Sequence, residues 1–133
     1  MKAVLCLAVL AAAAVAAGSA GAATRNCGTL SLGPGALERG NAAGPTCLLR
    51  AYRACAAATF TVSRHGVDTV ETDTFAVART SAGCRVPATV SFRVVPQQPR
   101  VSHTRCNAVK RRGTDVVAVG CGAPLASTVT LNR

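Results

Sequence analysis

Cysteine has the most chemistry to offer in this chain of 133 residues, and seven are present. Thiolates either ligate metals or join as disulfides, and spacing decides between the two. Cys27, Cys47, Cys55, Cys84, Cys106 and Cys121 lie far apart and no C-x-x-C knuckle occurs, so they read as a disulfide framework with no metal and no cofactor. The acid–base inventory is thin. His65, Asp68, Glu71 and Asp73 gather three of the five acids into one short stretch. Such a cluster suits general acid–base work or a loose cation site. It matches no calcium loop and stands beside no nucleophile elbow, so it reads as a solvated hairpin tip with its polar face. His103 reads as a strand residue on the face opposite Cys106. Lys110-Arg111-Arg112, with Arg100 and Arg105, has the charge to hold phosphate, nucleic acid or an anionic envelope polymer.

The formal net charge is +10, and two features turn it away from nucleic acid. Tyr52, Phe60, Phe75 and Phe92 fall at inward-looking positions, which leaves no platform for stacked bases. Apart from Lys2, Lys110 is the only lysine. Excess Arg and Ala with little Lys is what a GC-rich genome imposes on any protein. The expected partner is therefore an unknown protein or an anionic envelope polymer.

The elements that must position these residues begin after a leader. Met1-Lys2, an apolar run from Ala3 to about Ala17 and the small residues Gly18 to Ala23 have the form of a secretory signal peptide covering 1–23. The run is shorter than the ~20 residues a membrane span needs. Cys6 lies inside it, with too little apolar sequence before it for a lipidation site, and leaves with it. The remaining 24–133 carries +9 and an even number of cysteines, which fits an oxidising compartment: secreted, extracellular or in the cell envelope. No membrane span remains, and a monomer is expected.

Residues 24–46 are rich in Gly and Pro, with one apolar alternation at Leu30 and Leu32, and read as a segment tethered by Cys27. A single α+β domain over 47–133 follows. Thr46 is placed to cap a helix over about 47–57, with Leu48, Leu49, Tyr52, Cys55 and Ala56 on one face. The period then switches to two. Phe60 and Val62 lead into a polar hairpin at 64–69, and Phe75 and Val77 lie on the returning strand. Val86, Ala88, Val90, Phe92 and Val94 alternate with Arg85, Pro87, Thr89, Ser91 and Arg93, where Pro87 hints at an edge or a bulge. Strands near 101–110 and 115–121 should share a face through Cys106, Ala108, Val117, Val119 and Cys121, and 127–131 adds a short last strand. The fold expected is α+β: one N-terminal helix on an antiparallel meander of four to five strands, stapled by three disulfides.

Geometry narrows the pairing. Cys106 and Cys121 are equidistant from Gly113/Thr114, so a hairpin turning there pairs them. On one helix Cys47 and Cys55 would stand about 12 Å apart, beyond the roughly 7 Å reach of a bridge. Two sets remain, Cys27–Cys47 with Cys55–Cys84 or Cys27–Cys55 with Cys47–Cys84, and the first is favoured because it closes the shorter loop and ties helix to sheet.

The order of elements resembles the cystatin-like roll in outline, but a Gln-Val-Val-Ala-Gly-type hairpin and a Pro-Trp turn are both missing; there is no Trp. Asn26-Cys27-Gly28, Ala51-Tyr52-Arg53-Ala54-Cys55, Gly66-Val67-Asp68-Thr69 ahead of Phe75, and the later cysteines carry a second likeness. On these the chain resembles a group of small exported six-cysteine bacterial proteins of unassigned function. That resemblance implies no activity. The function expected is a non-catalytic binding or interaction domain of unknown ligand. Its surface would be the outward sheet face with Arg85 and Arg93, or the hairpin with His65 and Asp68. A cystatin-like protease inhibitor is the alternative, and a small hydrolase using His65 and Asp68 ranks below it.

Overall fold

The computed structural model describes residues 22–34 and 36–133, and of 36–39 the backbone path only. The expected signal peptide, apart from its last two residues, and Cys6 lie outside the described residues. The chain runs β1 (Arg25–Gly33), β2 (Ala36–Gly40), α1 (Gly44–Arg53), β3 (Ala58–His65), β4 (Thr69–Thr80), β5 (Gly83–Val94), β6 (Arg100–Cys106), β7 (Ala108–Arg112), β8 (Asp115–Val119) and β9 (Thr128–Thr130). The class is α+β with three disulfides, Cys27–Cys47, Cys55–Cys84 and Cys106–Cys121.

The single antiparallel meander needs correction. Six strands form one mixed sheet in the order β2-β1-β3-β4-β5-β6, and β7-β8-β9 form a second. β1 lies parallel to β3, an arrangement that requires a crossover, and β2 with α1 supplies it. Residues 24–46 are therefore two strands and a helix start that belong to the domain rather than a loop ahead of it, and the Cys27–Cys47 bridge supplies the expected tether. A bulge hid β1 from the period-two pattern. The register with β3 passes from Asn26↔Thr59 to Thr29↔Thr61, so β1 holds one extra residue at Gly28, whose φ is +86°. Cys27 and Leu30, an odd number of residues apart, consequently both face inward and are almost wholly buried.

The helix starts three residues before the expected position. Pro45 occupies its first turn, where a missing N–H costs nothing, and no side chain caps the end at Ala43. Thr46 is a helix residue rather than a cap. Gly44 is required there, because a Cβ would run into the Phe60 ring and stand 2.9 Å from the Cys27 carbonyl oxygen. The helix ends at Arg53, and Cys55 lies beyond it with φ 47°, so Cys47 and Cys55 do not share a helix. Leu48, Leu49 and Ala51 are buried, Tyr52 is half-buried and Ala56 is exposed.

β3, β4, β5 and β6 pair antiparallel in register. Pro87 sits in an interior strand, neither at an edge nor in a bulge. The β4–β5 ladder falls silent around it and resumes in the same register, as a residue without an N–H requires. The expected strand 101–110 breaks at Asn107, whose N–H donates to the Val119 carbonyl (2.9 Å) while Tyr52 Oη donates to its own carbonyl (3.2 Å). β7 thereby leaves the large sheet and starts the small one. Val109, Val116, Ala118, Val129 and Leu131 join the core with Phe60, Phe75 and Leu30. Val117, expected on the core-facing set, is buried in the small sheet but outside that cluster. Burying each large apolar side chain contributes about 1.5–3 kcal/mol. Helix and small sheet together cover one face of the large sheet and leave the other open.

Candidate binding surface

Period two assigns every side chain of β3–β6 to a face. On the open face the registers line up two rows across five strands. One row is Thr29, Thr61, Thr74, Thr89 and His103; the next is Ser31, Ser63, Thr72, Ser91 and Val101. Thr61 and Thr74 hydroxyls meet at 3.0 Å, those of Ser63 and Thr72 at 3.1 Å, and Thr89 Oγ1 lies 3.2 Å from His103 Nδ1. Arg105, paired with Pro87, flanks the threonine row, and Arg85 lies further along the same side. On the other side runs a row of His65, Val70 and Arg93. Three of the four residues expected at a binding surface, His65, Arg85 and Arg93, thus share one face, while Asp68 is exposed at the β3–β4 tip. No acidic residue occupies an outward position of β1 or β3–β6. Arg85, Arg93 and Arg105 enter no salt bridge among the described residues.

Beside Arg105 the surface sinks into a depression of about 560 Å3 at the β6 edge, lined by Pro87, His103, Arg105, Asn107, Gly120 and Gly122. Sequence reasoning placed Arg105 with Arg100 and Lys110-Arg111-Arg112. The structure divides them: Arg100 pairs with Phe92 on the opposite face, and the other three ride the exposed β7–β8 hairpin. The hydroxyl rows went unread because alternation marks which residues point outward but not which of them stand side by side; only register does that. Phe92, expected to be buried, holds an inward register position yet is 41% exposed, because the covering layers stop short of it.

The acid–base cluster is split as well. His65 and Asp68 are exposed, and no hydrogen bond joins them among the described residues. Glu71 and Asp73 share the inward parity of Phe75 and Val77, so Asp73 is wholly buried rather than solvated. Arg64, inward on β3, places Nη1 2.5 Å from Asp73 Oδ2 and 3.6 Å from Glu71 Oε1, while Nη2 donates to the Thr130 carbonyl at 2.8 Å. Among the described residues Asp73 Oδ1 has no hydrogen-bond partner. Burial pushes the Asp73 carboxyl above its ordinary range, the Glu71 charge pushes the same way, and Arg64 opposes both. A cleft of about 380 Å3 lined by Arg64, Glu71, Leu125, Thr130 and Arg133 opens beside it. With the guanidinium committed to carboxylates and a carbonyl, the arrangement clamps β9 to the large sheet. The alternation Asp73, Phe75, Val77 was the available sign that this acid faces inward.

Among the described residues no group of three or more His, Cys, Asp or Glu is placed to hold a metal ion, and no helix is long and apolar enough to cross a membrane. The chain matches no protein-family model, no curated protein and no solved structure.

Proposed function

We propose that the chain is an exported, disulfide-stapled, non-catalytic binding domain whose open sheet face engages an anionic polymer of the cell envelope. The observation that carries this is the sorting of charge. Among the described residues Arg85, Arg93 and Arg105 stand without carboxylate partners, with no acid at an outward position of β1 or β3–β6, beside two rows of hydroxyls. Cationic groups at the border of a hydroxyl field suit a ligand that is both charged and hydroxylated. Export is supported by the leader-like first residues and by six cysteines joined in three bridges. The likeness to small exported six-cysteine proteins agrees with it and supplies no activity. A cystatin-type inhibitor has in its favour only Val67, fully exposed at the β3–β4 tip.

The test is retention of the oxidised protein on immobilised anionic polymers against a neutral glucan. Retention on the anionic matrices alone is expected, falling as salt rises. The Arg85→Gln/Arg93→Gln variant should bind several-fold more weakly with an unchanged thermal midpoint. Equal retention on the neutral glucan would overturn the reading.

A further inference from the structure

We infer that the depression at the β6 edge is a carboxylate seat, and that the polymer it serves is a uronic-acid glycan lying along the threonine row. The inference rests on the open-face reading above and names its ligand. The seat lies where the row ends. The contact between Thr89 Oγ1 and His103 Nδ1 orients the imidazole and leaves Nε2 for a ligand. Beside it the Arg105 guanidinium has no carboxylate of its own among the described residues, and its planar fork matches a planar carboxylate bond for bond. Loop 120–122 forms the wall. Gly122 N donates to the Arg105 carbonyl at 3.1 Å, and the Cys106–Cys121 bridge pins the loop from the other side. Gly120 has φ +65°, and a side chain there would collide with Asn107, so the wall depends on a residue with no Cβ.

Stoichiometry selects the ligand class. On β1 and β3–β6 the two rows present four hydroxyls each, against three outward arginines. Within the Thr61–Thr74 and Ser63–Thr72 pairs one hydrogen bond is internal, so each pair keeps a donor and several lone pairs for a ligand. The face therefore suits a polymer with more hydroxyls than charges. A uronic-acid chain has that ratio, whereas a glycerol phosphate chain carries a charge for about every free hydroxyl. Neighbouring hydroxyls step across the strands by about 4.8 Å, so an extended chain on the row reaches the seat at its β6 end.

The experiment titrates isotope-labelled, oxidised protein with three probes: a purified oligouronate, its carboxyl-reduced form and a glycerol phosphate oligomer. Amide shifts should concentrate at Thr89, His103, Arg105 and 120–122, with the oligouronate binding at least about tenfold tighter than the other two. Arg105→Gln and His103→Ala should each weaken it by about tenfold or more, without loss of thermal stability, since both side chains are exposed. If both variants bind like the parent while Arg85→Gln/Arg93→Gln does not, the seat is overturned and the open-face reading stands. Tighter binding of the glycerol phosphate oligomer overturns the uronic-acid assignment. Failure of every anionic probe removes the open-face reading, and the seat with it.

Discussion

Arg64, on β3, satisfies groups that folding brings from two other strands: Asp73 and Glu71 on β4, and the Thr130 carbonyl on β9. Asp73 is wholly buried, so its charge is tolerated only through that guanidinium. Its carboxyl sits above its ordinary range, chiefly from burial, and this fixes a sign. The native state keeps the Asp73 proton at pH values where the unfolded chain has released it. The group therefore adds stability as pH falls through the raised native value, and the gain is complete below the unfolded value of 3.8. Asp73→Asn keeps an acceptor for Arg64 and puts a donor beside Glu71. Urea unfolding across that window should give a stability difference between parent and D73N that changes with pH, and a difference flat with pH would sink the account. Arg64→Met should cost about 3 kcal/mol at neutral pH and less in acid, where Asp73 takes up its proton.

At the scale of elements, the close approach of α1 to β3 sets a second expectation. Gly44→Ala should cost about 1–3 kcal/mol in thermal or urea unfolding, because its Cβ meets the Phe60 ring and the Cys27 carbonyl; an unchanged midpoint would mean that the helix shifts freely. The elements themselves were legible to very different degrees. β3, β4 and β5 announce themselves because one face is buried and the other open, so apolar and polar residues alternate. β1 was missed because its bulge puts Cys27 and Leu30 on the same side. β8 was found, but its core face was not. Val116, Val117 and Ala118 are all buried, and a strand apolar on both faces has no period to read. The helix start was misplaced because Thr46 is a good cap residue, while Pro45 with a glycine before it does the work without a cap. In the binding surface, Arg85 and Arg93 were legible as outward positions. The hydroxyl rows and the β6-edge depression depend on register and on where loop 120–122 lands, neither of which a single strand's pattern contains.

Across the whole molecule, carboxylates are sorted by face although arginines are not. The face that helix and small sheet cover receives Glu71 and Asp73 together with Arg64 and Arg100, and the open face receives Arg85, Arg93 and Arg105 with no acid on β1 or β3–β6. Such sorting gives the domain a polarity that its net charge alone does not describe. If the chain is exported as proposed, intact mass of the recovered protein should place its start between Gly21 and Thr24 and find no thiol open to alkylation. A species that takes up alkylating reagent without prior reduction would refute the framework. The order of the bridges also bears on how the protein is made. Cys27–Cys47, Cys55–Cys84 and Cys106–Cys121 span 20, 29 and 15 residues, and each closes before the next begins. No pair encloses or crosses another. For a chain threaded outward from its amino end, each cysteine's partner is the next one to emerge, so an oxidase joining thiols in order of arrival makes the native set directly. Biogenesis then needs an oxidant but no shuffling of wrong bridges, and cells lacking disulfide isomerase should yield the same fully oxidised mass in undiminished amount.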